Sequence, residues 1–467
     1  MAVRGAIKAV LIASAALCAF GFGAINAQAG GFTLRQSSYF QGASWAGVAA
    51  GGPSVSAMFW NPATITQAGL GLTAEAAGTI DSPRADITPV VATSPTEVNL
   101  TPFGGSGDLF DKATLIPSFY AAYGLNNSIS FGLGVNSPFG LKTQPNPLWA
   151  GMFYSQESKV KTIDATPTVA WKINNWLSVG AGAQIMYSKV NLDSAFPGSG
   201  TTGPFPLLAP LAPDELSLHG DAWGVGFTAG VAITPTPWTM IGVGYRSGVD
   251  QKTHGDIFRP SFVSPVVVPP FGLIPVGLPA ASVSFNATVP LPGAVTASIR
   301  QKITDSFTLL GTVEWTNWSR LGTIPITTNA VAPGIPMQLP FEWRDGWMVS
   351  GGVEYQWGPR IALRAGLAWD QSPITDGTRG TRLPDADRLW LSAGATYKCN
   401  EQLGLEFAYS HIFLKDASIN LSAASGNPTF NPGLGTFIGT VNAEVNIFSI
   451  GLRYRFLPPA PPIIRKG

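Results

Sequence analysis

The chain of 467 residues carries 45% hydrophobic and 11% aromatic residues but only 12% charged ones, about half the charged share of an average soluble domain. Its mean hydropathy of +0.20 would suit a helical membrane protein, yet beyond residue 25 no run of about 18 apolar residues occurs, which excludes a bundle of membrane-crossing helices. The 26 Phe, 14 Trp and 10 Tyr exclude a disordered chain despite 54 Gly and 39 Pro, and a net charge of +1 without blocks of like charge gives no reason to expect nucleic acid as a partner. What remains is a large all-β protein.

Arg4 and Lys8 precede the apolar stretch 9–25, and Ala27-Gln28-Ala29 offers small residues on either side of Gln28. Residues 1–29 therefore read as a signal peptide cleaved before Gly30. An uncleaved membrane anchor is the alternative reading. A lipoprotein signal is excluded, because Leu17 stands before Cys18 where a small residue is needed. Cleavage leaves Cys399 alone, so no internal disulfide is expected.

Residues 30–68 do not alternate and are rich in small side chains, as in Gly42-Ala43-Ser44 and Gly47-Val48-Ala49-Ala50-Gly51-Gly52. They are neither strand nor long helix. A segment of about 40 residues is too small to bury a core of its own, so it is expected to fold as a plug, or hatch, inside the remainder of the chain. A flexible periplasmic extension is the other reading.

From residue 69 to 456 the dominant signal has period two. Phe307, Leu309, Gly311, Val313 and Trp315 share one face, with Thr308, Leu310, Thr312, Glu314 and Thr316 on the other. Ile361, Leu363, Ala365, Leu367 and Trp369 repeat the pattern, with Arg364 and Asp370 on the opposite parity. A soluble sandwich also alternates. Three features favour a lipid-facing wall instead: aromatics at strand ends, a polar face rich in Gly, Ser and Thr, and lopsided connections. Short turns fall at Asn126-Asn127, Asn174-Asn175, 234–237, Thr304-Asp305, Gly358-Pro359 and 399–401. Long stretches fall at 81–114, 137–158, 191–220, 250–280, 319–345, 370–388 and 415–440. Six short and seven long connections join fourteen strands, and strict short/long alternation puts both ends of the barrel on the periplasmic side. The last strand alternates Phe448, Ile450, Leu452, Tyr454 and Phe456 with Ser449, Gly451, Arg453 and Arg455. Phe456 is the aromatic that barrel assembly machinery would recognise, and 457–467 form a periplasmic tail.

Chemistry-bearing constellations are scarce. His219, His254 and His411 are dispersed without metal-ligand spacing and read as loop or lumen residues. Neither a nucleophile elbow nor a phosphate-binding loop occurs, and Gly224-Val-Gly226-Phe-Thr-Ala229 lies within an alternating run. Neither an enzyme nor a cofactor is expected. Glu314, Glu354, Asp370 and Glu406 share the lumen face with Arg246, Arg300, Arg364 and Arg453. Pairing between strands accounts for them, and the sharper reading is that one or two of the cations meet an anionic head group. The hatch carries Phe32, Leu34, Tyr39, Phe40, Trp45, Met58, Phe59 and Trp60, and the loops carry apolar runs at 205–208, 262–263, 266–268 and 271–274. Such loops suit capture of hydrophobic molecules better than passage of sugars or ions.

Gly30-Gly31-Phe32, Asn61-Pro62-Ala63, Trp223-Gly224 with Tyr245-Arg246-Ser247, Trp315-Thr-Asn-Trp318-Ser and Leu383-Pro384-Asp385-Ala-Asp387-Arg388-Leu-Trp390 stand in order along the chain. Together they resemble the FadL/TodX-type outer-membrane transporters of long-chain fatty acids and other hydrophobic compounds, over about residues 30–456. The resemblance implies a 14-stranded antiparallel transmembrane barrel with an N-terminal hatch in the lumen, and a monomer embedded in outer-membrane lipids of a Gram-negative bacterium. It further implies that ligand lands among the extracellular loops, meets Phe32, and leaves sideways through an inward kink of the third strand, with Asn61, Pro62 and Ala63 as the hatch motif. Asn136-Ser137-Pro138-Phe139-Gly140 is the candidate kink, since Pro138 cannot donate to a ladder and Gly140 permits unusual dihedrals; a plain exit into a loop is the alternative. After Trp-x-x-Trp-Ser this chain continues Arg320-Leu321-Gly322, which departs from the basic residue of fatty-acid members. Arg246 and Arg320 are the fallback head-group partners. Passive uptake of long-chain fatty acids is the leading expectation and an aromatic-hydrocarbon channel the second. An outer-membrane lipid hydrolase would need one of the three histidines, and a surface adhesin would not need the hatch.

Overall fold

The computed structural model describes residues 31–456 apart from 96, 98, 102–104, 111–112, 198–213, 269–271 and 331–332. The signal peptide 1–29, the cleavage point at Gly30, the apolar run 205–208 and the tail 457–467 lie outside the described residues. Fourteen wall strands follow in chain order. They are β1 Gly71–Ala92, β2 Thr114–Gly124, β3 Ile129–Asn136 continued by Gly140–Thr143, β4 Glu157–Lys172 and β5 Leu177–Ala195. Next come β6 Glu215–Thr236, β7 Thr239–Arg246 continued by Val249–Arg259, β8 Ala281–Leu291 continued by Ala294–Lys302, and β9 Phe307–Thr316. The last are β10 Gly346–Trp357, β11 Ile361–Asp370, β12 Arg388–Lys398, β13 Leu403–Leu414 continued by Ala417–Leu421, and β14 Phe437–Phe456. Each pairs antiparallel with the next, and β14 closes the ring on β1 from Leu72 opposite Phe456 to Ala92 opposite Phe437.

Closure leaves no strand edge at the seam, which is the condition for β structure in hydrocarbon. The two faces obey the bilayer. In β11, Leu363, Leu367 and Trp369 are exposed on the outside while Arg364 is 3% exposed within. Phe448, Ile450 and Leu452 of β14 face out, and Ser449 faces in. Exposed Trp347 and Trp369 mark one rim, and Tyr355, Trp357 and Tyr397 the other.

Several strands run further than their hydropathy suggests. β1 continues to Ala92, β5 to Ala195 and β7 to Arg259, and β6 and β14 begin at Glu215 and Phe437. Much of the predicted loops 81–114, 191–220, 250–280 and 415–440 is therefore ladder. Above the aromatic rim the outer face turns polar and the inner face packs apolar side chains such as Ile257 and Phe285 under the roof, so the outward-apolar contrast of the wall is lost although the hydrogen bonds continue. Two small hairpins top the wall, Phe262–Val268 with Gly272–Leu278 and Thr323–Pro325 with Gln338–Pro340. The histidines also differ from expectation. His219, His254 and His411 lie in neither loop nor lumen but on β6, β7 and β13, each next to buried, inward-facing neighbours such as Leu218, Thr253 and Ser410.

Residues 31–69 sit inside the ring. They form a one-turn helix Ser38–Gln41 and tight turns Val48–Ala50, Val55–Phe59 and Pro62–Ala68. Side-chain oxygens of Ser37, Ser54 and Asn61 accept backbone N–H groups at the start of three of these turns, the arrangement that ends favour where no longer helix can satisfy them. Tyr39, Phe40, Trp45, Val48 and Trp60 pack on Met348, Ala368, Trp390, Ile412 and Ile447 of the wall. If the outer face meets acyl chains, Leu367→Arg in mid-strand will destabilise the barrel by about 2–4 kcal/mol, and Leu389→Arg near the rim by about 0–1 kcal/mol. Denaturant titration of folding into bilayers reads both; equal costs at the two depths would contradict the orientation.

Candidate functional site

The wall strands β3 to β8, roofed by residues 319–345 and 371–387, line an apolar cavity of about 210 Å³. Leu141, Val160, Val190, Leu218, Phe285 and Val289 line it from the wall, and Leu321, Ile324, Ile326, Phe341 and Trp343 from the roof. Apolar residues face inward here because these strands have risen above the polar belt of the lumen, and the roof segment packs on them. Arg382 reaches the lining from the other roof segment. Its Nη1 donates to the carbonyls of Glu157 (3.0 Å) and Asp193 (3.1 Å) and to Ser158 Oγ (3.2 Å). Burial lowers its pKa to about 10 while Asp193 opposes the shift, so the guanidinium is charged at neutral pH and donates to uncharged oxygens.

The floor is aromatic. The Phe32 ring lies 5.0 Å from Trp318 and 5.8 Å from both Phe139 and Trp343, each edge to face. Gly31 is pressed on the same cluster: a Cβ there would stand 2.8 Å from the Trp318 ring. Its N–H donates to Asp385 Oδ2 at 2.9 Å, and Asp385 in turn pairs with Arg388 and accepts from Ser372 Oγ.

Beside this floor the wall is interrupted. Pairing of β2 with β3 stops at Phe119 opposite Val135. β3 itself breaks between Asn136 and Gly140, then resumes against β4 alone. Higher up, Gln144 N–H donates to the Leu109 carbonyl. Between these two closures, residues 114–118 of β2 form ladder only with β1 among the described residues. The N-terminal segment covers the opening from within. Leu34 N–H donates to the Pro138 carbonyl (2.8 Å) and Gly140 N–H to the Phe32 carbonyl (2.9 Å). The Gln36 amide holds both backbone groups of Ser137, its Nε2 donating to the carbonyl (2.5 Å) and its Oε1 accepting from the N–H (3.1 Å). On the far side Leu34 packs on Ile116 of β2, and Tyr120 Oη donates to the Gln36 carbonyl.

Below the floor the segment is held by charge. Arg35 pairs with Glu314 of β9 and with Asp370 of β11 (3.4 Å). Tyr39 Oη donates to Glu354 of β10, which also pairs with Arg300 and Arg364, and the Arg364 guanidinium stacks 4.1 Å above the Tyr39 ring. Glu75 accepts from Ser54 Oγ and from the N–H groups of Val55 and Ser56. The lumen carboxylates and arginines thus join strands to one another and to the N-terminal segment together.

Phe32 is the site residue from the sequence that lines the cavity. Asn136, Pro138, Phe139 and Gly140 fall at the wall break. Asn61, Pro62 and Ala63 lie lower: Asn61 Nδ2 donates to the Ala49 and Val231 carbonyls, and its Oδ1 caps Ala63 N–H. The wall admits them through glycines, since a Cβ on Gly230 would come within 2.1 Å of Asn61 Oδ1 and one on Gly244 within 1.8 Å of the Trp60 carbonyl. Neither fallback cation reaches the cavity. Arg246 is spent beneath the floor on Asp164 (2.7 Å), Gln184 (2.6 Å) and the Phe59 ring (3.9 Å), and Arg320 pairs with Asp250 on the rim (2.5 Å). Sequence reasoning missed Arg382 and Arg35. Arg35 had a signal, being the sole charged residue between 30 and 74, a cation that a plug could not bury without wall carboxylates.

Comparison with known proteins agrees with this architecture. A family described as outer membrane protein transport protein (OMPP1/FadL/TodX) matches residues 21–456. A long-chain fatty acid transport protein of Escherichia coli O6:H1 is 26% identical over 64% of this chain and 69% of its own length. Outer membrane protein P1 of Haemophilus influenzae is 25% identical over 73% and 75%. Among solved structures, a Pseudomonas aeruginosa FadL homologue superposes with a TM-score of 0.77 at 21% identity, covering 92% of this chain and all of that one. The Ralstonia pickettii toluene transporter TbuX gives 0.61 at 19%, over 90% and 98%. With the match spanning the barrel and everything inside it, this chain belongs to the OMPP1/FadL/TodX family of outer-membrane transport proteins and is not an enzyme.

Proposed function

We propose that this transporter takes up long-chain fatty acids, or amphiphiles of the same build, by binding them in the apolar cavity and releasing them sideways through the β2/β3 opening, with residues 31–34 as the shutter of a hatch spanning 30–68. The observation that carries the substrate class is Arg382, a charged guanidinium at the wall of an apolar cavity. A hydrocarbon chain gains about 0.8 kcal/mol per buried CH₂, and a carboxylate entering with it would find a cation ready for a charge-assisted hydrogen bond. The similarity to relatives named for fatty-acid transport supports the same reading. One feature favours a second reading, uptake of aromatic hydrocarbons: the floor is built of Phe32, Trp318, Trp343 and Phe139, whose faces and edges would suit a flat ring.

Magnitudes argue for a small gate. Freeing residues 32–34 from the break costs the two backbone hydrogen bonds of Leu34 with Pro138 and Gly140 with Phe32, at roughly 1 kcal/mol each, which two or three buried CH₂ groups would offset. Expelling the whole hatch would separate Arg35 from Glu314 and Tyr39 from Glu354, and breaking a buried pair costs about 3–5 kcal/mol. Ligand-driven motion is therefore local to the shutter, and the ion-paired body of the hatch stays in place.

Two variants test these statements in proteoliposomes. Arg382→Gln should weaken oleate binding about tenfold to a hundredfold and leave toluene uptake unchanged, with Arg382→Lys retaining most of the oleate affinity. Equal loss for oleate and toluene would overturn the head-group assignment. Gln36→Leu strands both backbone groups of Ser137 at about 1–3 kcal/mol, so release through the wall should speed up by about fivefold or more; a rate below that of the native protein would show that the shutter is not the barrier.

A further inference from the structure

Lys142 of β3, Lys159 and Lys161 of β4 and Lys189 of β5 form a cluster that the transport reading leaves unused. In the ladder Lys142 stands directly opposite Lys159, and Lys161 directly opposite Lys189. All four share one face. The residues between them, Leu141, Val160 and Val190, line the cavity, so the lysines are on the outer surface of the wall. Like charges directly opposite one another destabilise a sheet, and two such pairs side by side make a cationic patch that attracts an anion.

Their height on the wall says where that anion comes from. One step toward the membrane along the same parity, Ile163 stands opposite Tyr187 and Tyr187 opposite Trp223. The two rings lie 5.1 Å apart, and Trp223 is 67% exposed, as in an aromatic belt at the hydrocarbon boundary. Lys161 and Lys189 are two residues further out, about 7 Å along the strand, at head-group level. Acidic groups border the cluster as well. Glu157 lies 3.9 Å from Lys159 at the upper edge, Asp193 beside it faces His219 at 3.3 Å, and Asp221 stands across from Lys189 on β6.

We propose that these four lysines hold the phosphate of an outer-leaflet lipid against the outside of the wall, next to the β3 break. Gly140, the first residue after the break, is the ladder partner of Lys161, so the lipid's acyl chains would lie along the outer edge of the opening and close it from the membrane side. The proposal rests on the outer-membrane location and not on the identity of the cargo.

Native mass spectrometry of the full-length protein in detergent tests it, with bisphosphorylated lipid A, its dephosphorylated form and inorganic phosphate as probes. The native protein should retain lipid A, and the variant K142Q/K159Q/K161Q/K189Q should bind it at least about tenfold more weakly, each lysine near an anionic surface contributing about a fivefold factor. The dephosphorylated lipid should bind both proteins at the variant's level. Equal binding of the two lipid forms would overturn the proposal, as would full displacement of lipid A by millimolar inorganic phosphate, which marks a site for the free anion. Unchanged heat-modifiability on gels and retained oleate binding show that the variant is folded, and single Lys161→Gln gives the same comparison if the fourfold variant fails to assemble.

Discussion

A backbone N–H or C=O left unpaired in hydrocarbon costs several kcal/mol, and this constraint governs the place where the wall opens between β2 and β3. Along most of the described wall the closed ladder meets it. At the break in β3 the ladder cannot, because Pro138 has no N–H and the strand bends off β2. The missing partners come from inside: Leu34, Phe32 and Gln36 satisfy Pro138, Gly140 and Ser137. On the opposite lip, Pro117 of β2 has no donor to leave unpaired. The N-terminal segment is thus part of the wall as well as part of the filling, and moving it exposes backbone that only a ligand, water or lipid can then cover.

The interior divides between two kinds of force. Below the aromatic floor, Arg35, Glu314, Asp370, Tyr39 and Glu354 are desolvated and mutually dependent, so the loss of one leaves another charge uncompensated. Above it, contact is apolar and tolerant of exchange. Phe32 sits on the boundary, with its ring in the cavity floor and its carbonyl in the wall break. On the proposed reading, a molecule that pushes on the ring acts on the backbone bond beside the opening, so binding and release would be joined through one residue.

The wall was legible in the sequence because a bilayer imposes a strict rule on alternate residues, which β11 and residues 448–453 of β14 follow. Legibility ended where that rule lapses. The upper halves of β1, β5 and β7 looked like loops, and the lysine rows of β3 to β5 were hidden inside the stretches 137–158 and 191–220 or beside them. Pro138 and Gly140 marked a place where a strand could bend. Their partners could not be read, since Phe32 and Gly140 meet only through the closed ring and no local pattern pairs them. The head-group cation was sought in Arg246 and Arg320, but Arg246 is consumed by Asp164 and Arg320 by Asp250. Arg382 belongs to a roof segment whose position depends on packing across β4 and β5, a relation that periodicity does not carry.

The most direct measurement is to lock the segment to the far lip of the opening. With Cys399 replaced by Ser, a Leu34→Cys and Ile116→Cys pair can be joined by oxidation, since the native side chains are packed together. Oxidised protein in proteoliposomes should still bind oleate in the cavity and fail to release it into the membrane, with release restored by reductant. Uptake that proceeds at the same rate in the oxidised and reduced forms would contradict a shutter at the wall break.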